Sequence, residues 1–144
     1  MRYVVFKRFR GQCLSGTVNL PYGTVCDRDG EMITKDGNAL VVVTSENAHQ
    51  FFARDDDGQG LERGRLTQEI QARLSPPPLS KRESKAEYEK RQAAWERIWN
   101  DPKLQPYKMR EHADHWLWNQ AFFDADVETL KYILQVIGGG LCTK

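Results

Sequence analysis

Turn signals break the first 43 residues so closely that no helix of ordinary length fits among them. Arg10-Gly11, Pro21-Tyr22-Gly23, Asp29-Gly30 and Asp36-Gly37 set residues suited to tight turns between short apolar runs. The runs they separate are Arg2–Phe9, Cys13–Leu20, Thr24–Asp27, Glu31–Lys35 and Ala39–Val43. β-Branched and aromatic residues are frequent in them, as a pleated surface prefers. In the first run Val4, Phe6 and Arg8 share one face, and Tyr3, Val5, Lys7 and Phe9 the other. The last run is continuously apolar and is expected to be the most buried. Together they predict a five-stranded antiparallel meander. Because exposed sheet edges invite pairing, it is expected to close into a small SH3-like or OB-like barrel, or to curve strongly.

The hydrophobic period then changes. Thr44-Ser45 offers an N-cap, and Ala48, Phe51 and Phe52 follow at helical spacing, predicting a short helix that ends by Arg54. A second helix is predicted over about 61–74, with Leu66, Ile70 and Leu74 aligned. Pro76-Pro77-Pro78 must end it, because proline donates no N–H and disfavours helix in the residue before it. The expected organisation is a first part over 1–75, a proline linker over 76–80 and a tryptophan-rich helical part over 81–144, the two parts being separate or packed as one domain. Ser80 and Glu83 form an S-x-x-E capping box for a charged helix over about 81–99, whose apolar residues concentrate late, so that its first half stands in solvent. Further helices are predicted over about 110–123 and 127–137, the last with Leu130, Ile133, Leu134 and Ile137 in a stripe and Gly138 as a left-handed C-cap. The fold class is therefore α+β, a strand-rich front followed by about five helices.

Charge restricts the function classes. The 144 residues carry 21 Lys and Arg against 20 Asp and Glu, a net charge of +1. A dedicated nucleic-acid domain usually shows a basic excess, so the balance argues against one while leaving a local patch open. Three cysteines, Cys13, Cys26 and Cys142, with no C-x-x-C pair, fit reduced packed thiols. Charges interrupt the apolar start, MRYVVFKRFRG, so a signal peptide is not expected there, and no run of eighteen apolar residues suggests a membrane span. The expected compartment is the cytoplasm.

Four constellations could carry chemistry. Asp55-x-Asp57-x-Gln59-Gly60 begins like a calcium loop, but Leu66 stands where the bidentate Glu belongs, so a solvated loop with Asp57 or Gln59 capping the next helix is the expectation. His112 and His115, three apart on a helix, could share a metal with Asp114 or Glu111, although the pattern matches no zinc signature. Trp95, Trp99, Tyr107, Trp116, Trp118, Phe122 and Phe123 form an aromatic set that either welds the last helices or anchors a partner. Trp116 and Trp118 fall about 200° apart on an ideal helix, which favours an interface for at least one. Lys7, Arg8 and Arg10, interleaved with Phe6 and Phe9, could face single-stranded nucleic acid. No Walker A, Rossmann or nucleophile-elbow motif occurs, so no cofactor and no covalent catalysis are expected.

Three segments carry a resemblance: Leu20–Thr24, LPYGT; residues 44–54, TSENAHQFFAR, continuing through 61–67, LERGRLT; and 111–119, EHADHWLWN. Together they resemble small proteins encoded by phages and prophages of Gram-positive bacteria. The resemblance implies a host cytoplasm and an accessory role in a mobile element, and it transfers no site residues. The combined expectation is a non-enzymatic accessory protein that contacts a host or phage protein through Trp95, Trp99, Tyr107, Trp116 and Trp118. The alternative is a nucleic-acid-binding factor, or a metal-assisted nucleic-acid-processing enzyme using His112, Asp114 and His115.

Overall fold

The structure, a computed structural model, describes residues 1–13, 16–43, 46–75, 82–108 and 118–138. The chain divides into two compact units, Met1–Arg65 and Leu66–Lys144. The proline stretch expected to link a first part over 1–75 to a second over 81–144 lies outside the described residues.

The first unit is antiparallel. Its strands are β1 (Arg2–Val5), β2 (Phe9–Cys13), β3 (Gly16–Leu20), β4 (Val25–Asp29), β5 (Met32–Lys35), β6 (Asn38–Val42) and β7 (Phe52–Arg54). Five form one sheet in the order β6-β5-β4-β1-β7, while β2 and β3 form a sheet of their own. Among the described residues the expected five-strand meander is thus corrected to seven strands in two sheets, not closed into a barrel. The run read as one strand from Arg2 to Phe9 breaks after Val5, where Phe6 leaves the ladder and packs so closely over Gly64 that a Cβ there would clash.

Register nevertheless continues across that break. β1 pairs Val4 with Val25, and β2 pairs Phe9 with Leu20. The two pairs keep the same offset, but the path between them is no regular ladder, since Gly23 (φ 88°) and Thr24 both face Val5. Between them Val5 donates to the Thr24 carbonyl and accepts from Gly23. β1–β2 and β3–β4 are therefore two arms of one long bent hairpin. Its inward face contributes Tyr3, Val5, Phe9, Leu20 and Cys26 to a core completed by Ile33, Val43, Ala48 and Phe52.

The Asp36-Gly37 signal holds. Both residues have positive φ (52° and 82°), as a two-residue type I′ turn requires between Lys35 and Asn38. β6 is not the most buried strand, because it sits at the sheet edge with a single ladder partner, and Val42 is exposed. α1 (Glu46–Phe51) ends earlier than expected: Phe52 pairs with Val5, so the apolar doublet is split between a helix and β7.

α2 (Gly60–Leu74) begins in the first unit and continues into the second. Leu66, Ile70 and Leu74 join the second core, as their spacing predicts. α3 (Lys85–Asn100) starts four residues later than expected. The chain carries two S-x-x-E boxes in tandem, and the one used is Ser84 with Glu87. Glu83 instead binds Arg91 at 2.9 Å. The first half of α3 is exposed, and Ala94 and Ile98 are its buried residues. A 3₁₀ segment, Pro102–Tyr107, follows, then α4 (Gln120–Phe123) and α5 (Val127–Ile137). Most of the helix expected over 110–123 lies outside the described residues. Trp118 is extended rather than helical, bridging to Lys108, and Asn119 caps α4 by accepting from the Phe122 N–H. Gly138 caps α5 in right-handed geometry (φ −71°), not left-handed.

Candidate functional site

The acidic loop is occupied internally. Asp55 is buried, accepts from the Gly60 N–H at 2.7 Å and pairs with Arg2 at 2.9 Å. Asp55 and Asp57 both serve the start of α2, Asp57 by accepting from the Gln59 N–H at 3.0 Å. Asp57 meets Arg63 at 2.5 Å, and Arg63 also donates to the Arg54 carbonyl. Arg63 is 0% exposed. Hydrogen bonding and charge from this guanidinium hold the Asp57 carboxyl down at about 2. Arg54 takes Asp56 at 2.6 Å. The loop is an arginine–carboxylate knot that fixes the entry to α2, and its carboxylates are committed to cations of the chain itself.

The aromatic set is largely spent on packing. Trp95, Tyr107, Trp118 and Phe123 pack against the second core, and Phe122 is at its centre. Trp118 stacks on Phe122 at 4.1 Å and lies 5.7 Å from Trp95. The Trp95 indole N–H donates to the Leu74 carbonyl. Trp99 is half-buried beneath the Lys108 ammonium, 4.3 Å from its ring centre, and that ammonium also donates to the Trp99 carbonyl. Trp116 lies outside the described residues, so the helical angle between it and Trp118 has no basis here: Trp118 is not helical. Among the described residues Tyr22 and Tyr88 are exposed aromatics.

His112, Asp114 and His115 also lie outside the described residues. Among the described residues no group of three or more His, Cys, Asp or Glu is placed to hold a metal ion. Cys13 and Cys26 are free thiols. Burial pushes the Cys26 thiol up to about 11, so its nucleophilic thiolate is scarce at neutral pH. Among the described residues no helix is long and apolar enough to cross a membrane.

The β2–β3 hairpin is different. Its register puts Arg10 opposite Asn19 and Gln12 opposite Thr17 on the face turned away from the core. Arg8 joins them, donating to the Asn19 side chain at 3.0 Å. All five residues are exposed, while Phe9 and Leu20 on the other face are buried. The ribbon itself brings no carboxylate to this face, because the chain has no Asp or Glu before Asp27. Among the described residues none of Lys7, Arg8 and Arg10 is ion-paired. Lys7 lies over the Phe51 ring at 5.7 Å. By contrast Arg2, Arg54, Arg63, Arg65, Arg73 and Arg91 all have carboxylate partners. Of the three nucleic-acid candidates, Arg8 and Arg10 therefore share one surface, and Lys7 stands at the bend beside it. Sequence reasoning missed Gln12, Thr17 and Asn19. The signal that finds them is the absence of acidic residues before Asp27 combined with the pairing register. The aromatic half of the expected platform fails, since Phe9 faces the core and Phe6 packs on Gly64.

No family model matches the chain, and no curated protein or solved structure is similar enough to match it.

Proposed function

We propose that this protein is a non-catalytic accessory factor that binds nucleic acid through the outward face of β2–β3. The observation that carries this reading is the exposed, carboxylate-free surface of Arg8, Arg10, Gln12, Thr17 and Asn19, in a chain whose other arginines are mostly paired. Unpaired guanidiniums with amide and hydroxyl neighbours suit phosphate and base edges alike. The near-neutral total charge fits a weak, local contact better than a wrapping one. The likeness to phage and prophage proteins adds a setting, an accessory function of a mobile element in the host cytoplasm. Fluorescence anisotropy with labelled DNA and RNA at low salt tests the proposal. Binding should weaken steeply as salt rises and be lost when Lys7, Arg8 and Arg10 are all changed to Ala. Folded protein that binds no nucleic acid at low salt would end it.

A protein partner is the second reading. It is favoured by the exposed first half of α3, where Tyr88 projects beneath the Arg91 guanidinium on a helix fixed by its capping box and the Glu83–Arg91 pair. Among the described residues, half-buried Trp99 is a further candidate from the expected aromatic anchors. A pull-down from host lysate after nuclease treatment separates the two readings. A stoichiometric protein that survives nuclease and is lost on Tyr88→Ala favours the second.

A further inference from the structure

We infer that β2–β3 is a groove-reading ribbon for B-form duplex DNA, an inference that rests on the nucleic-acid reading above and narrows it. Three features select the duplex. The first is shape. The ribbon has five residues in each strand, which corresponds to about 13 Å of length and about 5 Å between strands. The major groove of B-DNA, about 12 Å wide, admits a two-stranded ribbon. The deep, narrow major groove of A-form RNA does not.

The second feature is side-chain chemistry. Single-strand binders stack bases on exposed aromatics. The outward face has none: Phe9 is buried on the opposite face, and Tyr22, although 65% exposed, falls level with Lys7 beyond the ribbon. What the face does offer is two arginines, two carboxamides and a threonine. These are the side chains that meet guanine O6 and N7, adenine N6 and N7, and the thymine methyl.

The third feature is attachment. Phe9 packs edge-on against Phe51 at 5.3 Å and against Phe52 at 5.0 Å, so the inner face anchors the ribbon and holds its outer residues in fixed alternation. Among the described residues the Arg10 side chain has no hydrogen-bond or ion-pair partner, whereas Arg8 is held by Asn19. In this arrangement Arg10 and Arg8 supply the charge contacts, and Gln12 and Asn19 flank them toward base edges.

The test is anisotropy with the full chain against a mixed-sequence DNA duplex, its separated strands and the matching RNA duplex. Methylation protection at guanine N7, which lies in the major groove, accompanies it. The DNA duplex is expected to bind best, with N7 protected. Arg8→Ala with Arg10→Ala should weaken it by about tenfold or more per arginine, and the salt dependence should become shallower by about one unit for each phosphate that is no longer neutralised. Lys90→Ala, which removes an exposed cation from α3, serves as the charge control and should leave binding unchanged. Circular dichroism confirms that each variant is folded. Arginine-dependent binding that is equal or stronger for single strands or RNA, or that leaves N7 unprotected, overturns the ribbon while leaving the nucleic-acid function standing. Absence of any binding overturns both.

Discussion

The two units hold themselves together by different chemistry. Met1–Arg65 ties its loop to its sheet with ion pairs: Arg2 with Asp55, Arg54 with Asp56, and the buried Arg63 with Asp57. Leu66–Lys144 relies on apolar contact, with Ile98, Leu104, Phe122, Leu130 and Ile133 all fully buried and rings layered beside them. Arg97, an exposed residue of α3, donates to the Val136 and Ile137 carbonyls and closes the end of α5. The sheet unit buries Tyr3, Phe9, Ile33 and Phe52 and adds polar ties of fixed geometry at its loop. The helical unit has polar ties as well, Glu83 with Arg91 and Glu69 with Arg73, but its rings add a large apolar contact to them.

All four tryptophans lie after residue 66, so their fluorescence reports on the second unit alone. That makes the contrast testable by urea unfolding followed through two signals. The largest effect is expected from Phe122→Ala, which removes a fully buried ring stacked on Trp118 and should cost about 4 kcal/mol. The fluorescence transition should move strongly to lower urea, and the far-UV transition of the strands less. Next is Arg63→Ala, which leaves Asp57 and the Arg54 carbonyl without their buried donor and should cost about 3 kcal/mol. Here the strand signal should shift and the tryptophan signal lag behind. If both signals move together in both variants, the units unfold as one and the contrast carries no thermodynamic weight.

The smallest effect is in acid. Arg63 lowers the Asp57 carboxyl from 3.8 to about 2, so protons bind the unfolded chain first. The stabilisation is complete above the unfolded value and is lost as pH falls through the folded one. Stability curves of the wild type and Asp57→Asn should run parallel above about pH 4 and converge toward pH 2. A gap that persists at pH 2 would mean that Asp57 contributes by shape rather than charge. Its side chain is about one third exposed, so solvent screening keeps the effect modest.

Local signals were legible wherever local physics decides. Asp36-Gly37 turns where its positive φ values demand, α5 spans the predicted Val127–Ile137, and the late-weighted apolar residues of α3 leave its first half exposed. Readings failed where a distant partner decides. Arg2–Phe9 looks like one strand until Phe6 is claimed by Gly64. Phe51-Phe52 fits a helix until Val5 pairs with the second of them. Ser80 and Ser84 present the same capping pattern, and sequence alone does not rank them. The candidate surface was half visible. Lys7, Arg8 and Arg10 stand out as charges, but their amide and hydroxyl companions come largely from β3 and appear only once the register is known.

That register has a consequence for misfolding. A slip of β2 by one residue against β3 would turn over all of its side chains at once. Phe9 would be stranded in water, and Arg8 and Arg10 would be driven against Phe51 and Phe52. The two guanidiniums therefore proofread the pairing: they make the shifted alignment so unfavourable that the chain's own strand choice keeps them on the outside.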